Sequence, residues 1–138
     1  NASDYVLKGY KMNVTQPFNS ITVNDYMHFY DDGKFNPKKV VTGLKFKAEQ
    51  VAIATKLPKA SIRYDEKMSN ELRIKIEEWA TVINLVADFF QDTKKTILWF
   101  NTRNPQLANL KPTDMILSRR VKKLQAFIHY VLYLNNRE

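Results

Sequence analysis

Apolar residues recur at steps of three and four positions along much of the chain. The longest such repeat lies between residues 70 and 91 and predicts one long amphipathic helix. Its apolar positions are Leu72, Ile76, Trp79, Val82, Ile83, Val86, Phe89 and Phe90. A second repeat over residues 120–134 predicts a closing helix. No segment alternates apolar and polar residues as well as these repeat, so the pattern predicts an all-α helical bundle.

Capping and breaking residues divide the rest of the chain into short helices. Asn36 followed by Pro37 predicts a helix start, and Gly43 predicts the end of that helix. Pro58 keeps the preceding residue out of helical geometry and so predicts a break. The short helices predicted in this way cover residues 25–30, 37–42, 47–55, 59–67 and 93–101, with a further one starting at Pro112.

Three segments follow from this division. Residues 1–35 are aromatic-rich and poorly periodic, and we expect an arm that packs on the core or on a second copy. Asn1 and Ala2 are consistent with the remnant of a cleaved tag. Residues 36–69 form a candidate helix-turn-helix-like region, and residues 70–138 contain the long helix and a C-terminal helical domain.

Composition narrows the class of protein. The chain has 44% hydrophobic residues and no cysteine, which predicts a packed core and excludes disulfides and thiolate metal sites. No apolar run approaches the roughly 18 residues of a membrane span, so we expect a cytoplasmic protein. The formal net charge of +8 favours a polyanionic partner such as nucleic acid, although solvated lysines explain it about as well.

Residues 47–63 have the spacing of a helix-turn-helix. Ala52 stands where two helices approach closely, Leu57 would anchor the turn, and Ile62 would face inward. Lys56 occupies the turn position that usually holds glycine. The side chains left outward, and so the candidates for DNA contact, are Lys59, Ser61, Arg63, Tyr64 and Lys67. A tight helix pair is also a generic packing unit, often kept as a scaffold.

The segment from Trp99 to Ile128 carries a second candidate surface. Asn104-Pro105 is a turn signal, and Pro112 sets the backbone for a helix start in whose first turn Asp114 suits the helix dipole. Four cations then crowd the start of the last helix, where the dipole disfavours them: Arg119, Arg120, Lys122 and Lys123. They indicate an acidic partner or phosphate, or simply a solvated helix end.

This segment resembles the toxin-binding domain of the Xre/MbcA/ParS antitoxin family, and the resemblance extends over about residues 37–134. The residues that match the family motif are Trp99, Phe100, Thr102, Asn104, Pro105, Leu107, Pro112, Asp114, Met115, Ile116, Arg120, Val121, Lys123, Leu124, Ala126, Phe127 and Ile128. Three departures bear on the partner surface. Ala108-Asn109 replaces a frequent glycine pair, Lys111 replaces a capping Ser or Thr, and Arg119 replaces a glycine.

The resemblance implies an antitoxin of a type II system whose C-terminal domain covers the NAD pocket of a RES-domain toxin. It also implies binding to the operon's own promoter DNA as a homo-oligomer such as a dimer. The residues it assigns to the toxin interface are Asn104, Pro105, Leu107, Asp114, Arg120 and Lys123. The alternative is a stand-alone transcriptional regulator that uses the same parts without a toxin.

The sequence offers only weak candidates for catalytic residues. His28 and His129 are far apart in sequence, and Glu77-Glu78 is an adjacent pair whose members point to different faces of a helix. No glycine-rich phosphate loop or nucleophile motif occurs. We therefore expect no enzymatic activity, no metal and no cofactor.

Overall fold

A computed structural model describes residues 23–136 together with two short strands near the N-terminus, β1 (Val6–Leu7) and β2 (Tyr10–Lys11). The remainder of the predicted arm, including residues 1 and 2, lies outside the described residues. A second hairpin follows, β3 (Tyr30–Asp31) and β4 (Lys34–Phe35). The helices are α1 (Pro37–Leu44), α2 (Ala48–Thr55), α3 (Asn70–Phe90), α4 (Thr93–Phe100), α5 (Pro112–Leu117) and α6 (Val121–Asn135). The predicted all-α class is confirmed.

Helix α3 is the centre of the structure and packs against α1, α4 and α6. It begins at Ser69, whose hydroxyl oxygen accepts from the backbone N–H of Leu72 at 3.1 Å. Trp79 is fully buried on it and meets the edge of Phe46 at a ring distance of 5.7 Å. The sequence prediction of one long helix here is confirmed, with bounds that differ from the predicted ones by at most one residue.

The predicted helix over residues 25–30 is wrong. The carboxylate of Asp25 accepts from the backbone N–H groups of Phe29 and Tyr30, at 2.9 and 3.0 Å, and so holds a turn. Asn84 of α3 fixes this turn: its amide donates to Asp25 at 2.9 Å, and its oxygen accepts from Met27 N–H at 2.9 Å. The backbone polar groups that a helix needs are therefore engaged by side chains.

Gly43 does not end α1 as predicted. The helix continues to Leu44, which is 1% exposed, and the left-handed residue that ends it is Lys45, with φ of 62°. Keeping Leu44 helical places it with Val40 and Val41 on the buried face. Gly43 lies close to α4, since a Cβ there would be 3.4 Å from Ile97 Cδ1.

The predicted helix over residues 59–67 is also wrong. Only Lys59–Ser61 forms a single 3-10 turn, and the backbone is extended at Ile62. Asp65 accounts for the difference, because its carboxylate accepts from Lys67 N–H at 3.0 Å and pairs with Arg63 two residues before it. Residues two apart do not face each other on a helix, so this pair excludes helical geometry. The second helix of the expected helix-turn-helix is therefore missing.

One hydrophobic core spans the chain from Phe29 to Leu132. Helix α2 packs against α5, so the regions 36–69 and 70–138 share this core. Leu57 and Ile62 pack against it from the α2–α3 connection, as the sequence predicts. The backbone of β1 lies alongside α6, which is compatible with the expected packing of the arm on the core. None of the helices in the described ranges has the length and apolarity needed to cross a membrane.

Candidate partner-binding surface

The connection between α4 and α5 is a closed loop organised by Asn104. Its backbone N–H donates to Leu110 O at 3.0 Å, and its carbonyl accepts from the N–H groups of Leu107 and Asn109 at 2.9 and 3.0 Å. Its side-chain oxygen accepts from Gln106 N–H at 2.9 Å and caps the 3-10 turn Pro105–Leu107. These bonds fix both ends of the loop, so its outer face is held in one geometry.

Two further contacts brace the loop. Leu107 is buried and anchors it in the core, while the guanidinium of Arg103 donates to Asn109 O at 3.2 Å. At the start of α5 the Asp114 carboxylate accepts from Lys111 N–H at 2.8 Å. Lys111 has no acceptor atom to return this bond, so only half of a capping box forms, as the loss of Ser or Thr at that position predicts.

Two residues of this loop adopt the backbone that glycine favours. Ala108 has φ of 57° and Asn109 has φ of 64°, both in the left-handed region. Arg119, just after α5, and Lys56, just after α2, also lie in this region, each with φ of 61°. Asn tolerates this region, but Ala, Arg and Lys pay a steric cost between Cβ and the following carbonyl. Ala108, Asn109, Arg119 and Lys56 thus hold a left-handed backbone without glycine.

The Ala108→Gly variant tests this backbone strain. We expect the free energy of unfolding to rise by roughly 0.5–1 kcal/mol, because glycine relieves the left-handed strain at a small entropic cost. The matched control is Ala126→Gly at an exposed position inside α6, where the same change should lower stability by about 1 kcal/mol. Urea denaturation of both variants measures whether each change raises or lowers the free energy of unfolding. Destabilisation by both would show that Ala108 is not strained.

The six residues predicted for the toxin interface divide into two groups. Pro105 and Lys123 are exposed, and Arg120 is half-buried with its Nε donating to Ser118 Oγ at 2.8 Å. Leu107, Asn104 and Asp114 are engaged in the core or in the hydrogen bonds that shape the loop. Pro105 and Lys123 can therefore contact a partner directly. Asn104, Leu107 and Asp114 instead hold the loop and the start of α5 in place.

Gln106 is an exposed loop residue that the sequence analysis did not name, whereas Ala108 and Asn109 were named there only as departures from the antitoxin motif. Gln106, Ala108 and Asn109 are all exposed between the two fixed ends of the loop. The signal that points to them is the turn chemistry of Asn104-Pro105, because residues just after a capped turn project outward.

Most of the cations at the start of α6 have partners within the chain. Arg119 Nη1 donates to Ile53 O at 2.9 Å, near the C-terminal end of α2, where a cation suits the helix dipole. Lys122 pairs with Glu78 at 3.5 Å. Lys123 makes no ion pair within the described part of the chain, which leaves it the most available cation of the cluster.

The side chains predicted to contact DNA are largely engaged as well. Lys59 pairs with Glu49 at 2.7 Å, and Arg63 holds Asp65 through Nε at 2.8 Å and through Nη2. The hydrogen bond from Arg63 lowers the pKa of Asp65. Tyr64 is half-buried, and burial raises its pKa. Ser61 and Lys67 are exposed, but no helix presents these residues together to a DNA groove.

Within residues 23–136 and the two N-terminal strands, no group of three His, Asp or Glu side chains is placed to hold a metal ion. His129 is buried in α6, and burial lowers its pKa to about 4. His28 is exposed in the turn before β3.

No protein-family model, curated protein or solved structure matches this chain.

Proposed function

We propose that this chain is a type II antitoxin whose surface over residues 104–123 docks on a RES-domain toxin and blocks access to its NAD pocket. The observation that carries the proposal is the left-handed backbone at Ala108, Asn109 and Arg119. Those are the positions of the C-terminal segment at which the antitoxin motif calls for glycine. Positive φ at these positions is compatible with a motif that has glycine there, and this compatibility supports the proposal.

The rigidity of the loop supports a docking role. Its outer residues are exposed, while Asn104 and Leu107 hold its ends by hydrogen bonding and burial. A surface fixed before binding loses little conformational entropy when a partner arrives. A pre-organised loop can therefore block a toxin's pocket without rearrangement.

Charge supports the same role. Lys123 projects from the first turn of α6 without an ion pair in the described part of the chain, at a helix end where the dipole disfavours cations. An acidic patch on the toxin would compensate this charge and steer association.

Promoter binding has less geometric support than toxin binding. Residues 62–69 do not form a recognition helix, and the acidic partners of Lys59 and Arg63 reduce the charge available for phosphates. No contact in the described structure favours the stand-alone regulator over the antitoxin, so we propose toxin binding alone.

The proposal predicts that a RES-domain toxin is encoded beside this chain, and isothermal titration with that protein tests the docking surface. We expect Lys123→Glu to weaken the complex at least about tenfold, because it reverses an interface charge. The matched control, Lys75→Glu, reverses an exposed charge on α3 and should change affinity by less than about twofold. Neither variant should lower the unfolding temperature, and Lys123→Glu should raise it slightly because an anion suits the start of α6.

Two outcomes contradict the proposal. Absence of any complex with the neighbouring toxin would remove the antitoxin function. A complex that Lys123→Glu and Lys75→Glu weaken equally would move the docking face away from residues 104–123.

A further inference from the structure

A second surface lies between α1 and α4, among residues that the proposed toxin interface does not use. Two open cavities of about 420 and 500 Å³ adjoin there and share Ile97 of α4 in their lining. We call this surface the α1–α4 groove. Gly43 of α1 also lines it, and the missing Cβ leaves Ile97 accessible between the helices.

The lining of the groove combines an apolar floor with a basic rim. Leu98 is 67% exposed, which is the highest exposure among the large hydrophobic side chains of the described residues. Lys38, Lys45 and Lys94 line the same cavities, and none of the three has an ion pair in the described ranges. The described residues that line the two cavities include no Asp or Glu.

We propose that the α1–α4 groove binds an acidic amphipathic helix of a protein partner, with apolar side chains on Ile97 and Leu98 and carboxylates on the lysine rim. Charge complementarity favours this occupant, because a lysine rim with no acidic residue among the described lining residues attracts carboxylates, and burying Leu98 removes apolar surface from water. This proposal is independent of the antitoxin function.

The size of the groove fits a short helix. Helices α1 and α4 have eight residues each, so each offers a wall of roughly 12 Å at 1.5 Å per residue. About two turns of a partner helix cover this length and place apolar residues at spacings of three and four on one face. Phosphates alone would satisfy the lysines but would leave Leu98 exposed to water.

Fluorescence anisotropy with defined probes tests the groove. The probe is a fluorescein-labelled amphipathic helical peptide with a leucine stripe and a glutamate face. Its controls are the same peptide with lysine in place of glutamate, the same peptide with serine in place of leucine, and a single-stranded oligonucleotide of equal charge. We expect binding of the acidic peptide alone, with affinity that falls as salt rises.

Substitutions in this chain test whether the acidic peptide binds in the α1–α4 groove. Leu98→Ser should weaken the acidic peptide about tenfold, because the apolar contact is lost at an already exposed position. Lys94→Glu should weaken it by at least about threefold. The matched controls are Ile53→Ser, at a side chain that is 59% exposed on α2, and Lys75→Glu on α3, and both should leave binding unchanged.

The proposal is overturned if the acidic peptide fails to bind, or if Leu98→Ser binds it as tightly as Ile53→Ser does. Tighter binding of the oligonucleotide, lost in Lys94→Glu but kept in Leu98→Ser, would also overturn it and would make the groove a phosphate site. Because Leu98 and Lys94 lie outside residues 104–123, toxin binding and groove binding can fail separately.

Discussion

Lowering the pH from 7 to 4 is expected to cost the fold about 3 kcal/mol through His129 alone. The side chain is 2% exposed in α6, and burial lowers its pKa from 6.5 to about 4. A difference of one pKa unit between folded and unfolded chains corresponds to about 1.4 kcal/mol. The full difference is therefore a sizeable part of the roughly 5–15 kcal/mol that stabilises a typical domain.

The sign follows from which state takes up the proton first. Above pH 6.5 the imidazole is neutral in both states and adds no pH dependence. Between 6.5 and 4 the unfolded chain is protonated while the folded chain is not, so stability falls with falling pH. Below the folded-state pKa both states carry the proton, and the loss reaches its limit.

Urea denaturation at pH 7 and at pH 4 measures this loss. His129→Leu replaces the imidazole by an apolar side chain of similar volume and should remove most of the pH dependence, whatever constant change in stability it brings. The control is His28→Asn, which removes the chain's other imidazole from an exposed turn and should keep the loss. A wild-type loss that persists in His129→Leu would assign the effect to other groups.

Replacing Phe100 by alanine is expected to lower the free energy of unfolding by roughly 3–5 kcal/mol. Phe100 is fully buried where α4 ends, and its ring lies edge-on to Trp99 at 5.0 Å. Removing it takes a large apolar side chain from the core and leaves a cavity that the packed helices can only partly fill. It also removes the anchor just before the loop at Asn104.

The control for Phe100→Ala lies two residues earlier on the same helix. Leu98 is 67% exposed, so Leu98→Ala should cost less than about 0.5 kcal/mol. Thermal and urea denaturation of the two variants measures the difference. Equal losses would contradict the burial pattern of α4.

The sequence was sufficient for helices whose apolar residues repeat regularly. Helix α3 and helix α6 follow their apolar repeats closely, because a helix with one continuous apolar face can bury that face against the core. The segment after Pro58 shows where such reasoning fails. It has helical spacing, but the side chain of Asp65 bonds locally to Arg63 and to Lys67 N–H, and these bonds replace the helix.

The hairpin before α1 was not predicted from the sequence, which was interpreted as a helix over residues 25–30. Asp32-Gly33 forms the two-residue turn of the β3–β4 hairpin. Asp32 has φ of 51° and Gly33 has φ of 80°, the pair of positive values that such turns require. Each flanking strand has only two residues, one of them aromatic, which is too short to show the apolar alternation that normally identifies a hairpin.

The sequence indicated where the candidate surface lies along the chain, but not which of its residues are buried and which are exposed. Turn chemistry identified Asn104-Pro105 and Pro112 correctly, because these residues act through their own backbone. Whether Leu107 is buried and Lys123 exposed depends on packing between distant segments. The α1–α4 groove had no sequence signal, since residues more than fifty positions apart line it.

The antitoxin account predicts a RES-domain toxin encoded beside this chain, and its most direct test is a titration of NAD consumption by that protein. We expect purified wild-type chain to abolish NAD consumption at about equimolar concentration, and Lys123→Glu to require an excess of at least about tenfold. Lys75→Glu should act as the wild type does. Undiminished NAD consumption in the presence of excess wild-type chain would contradict the account.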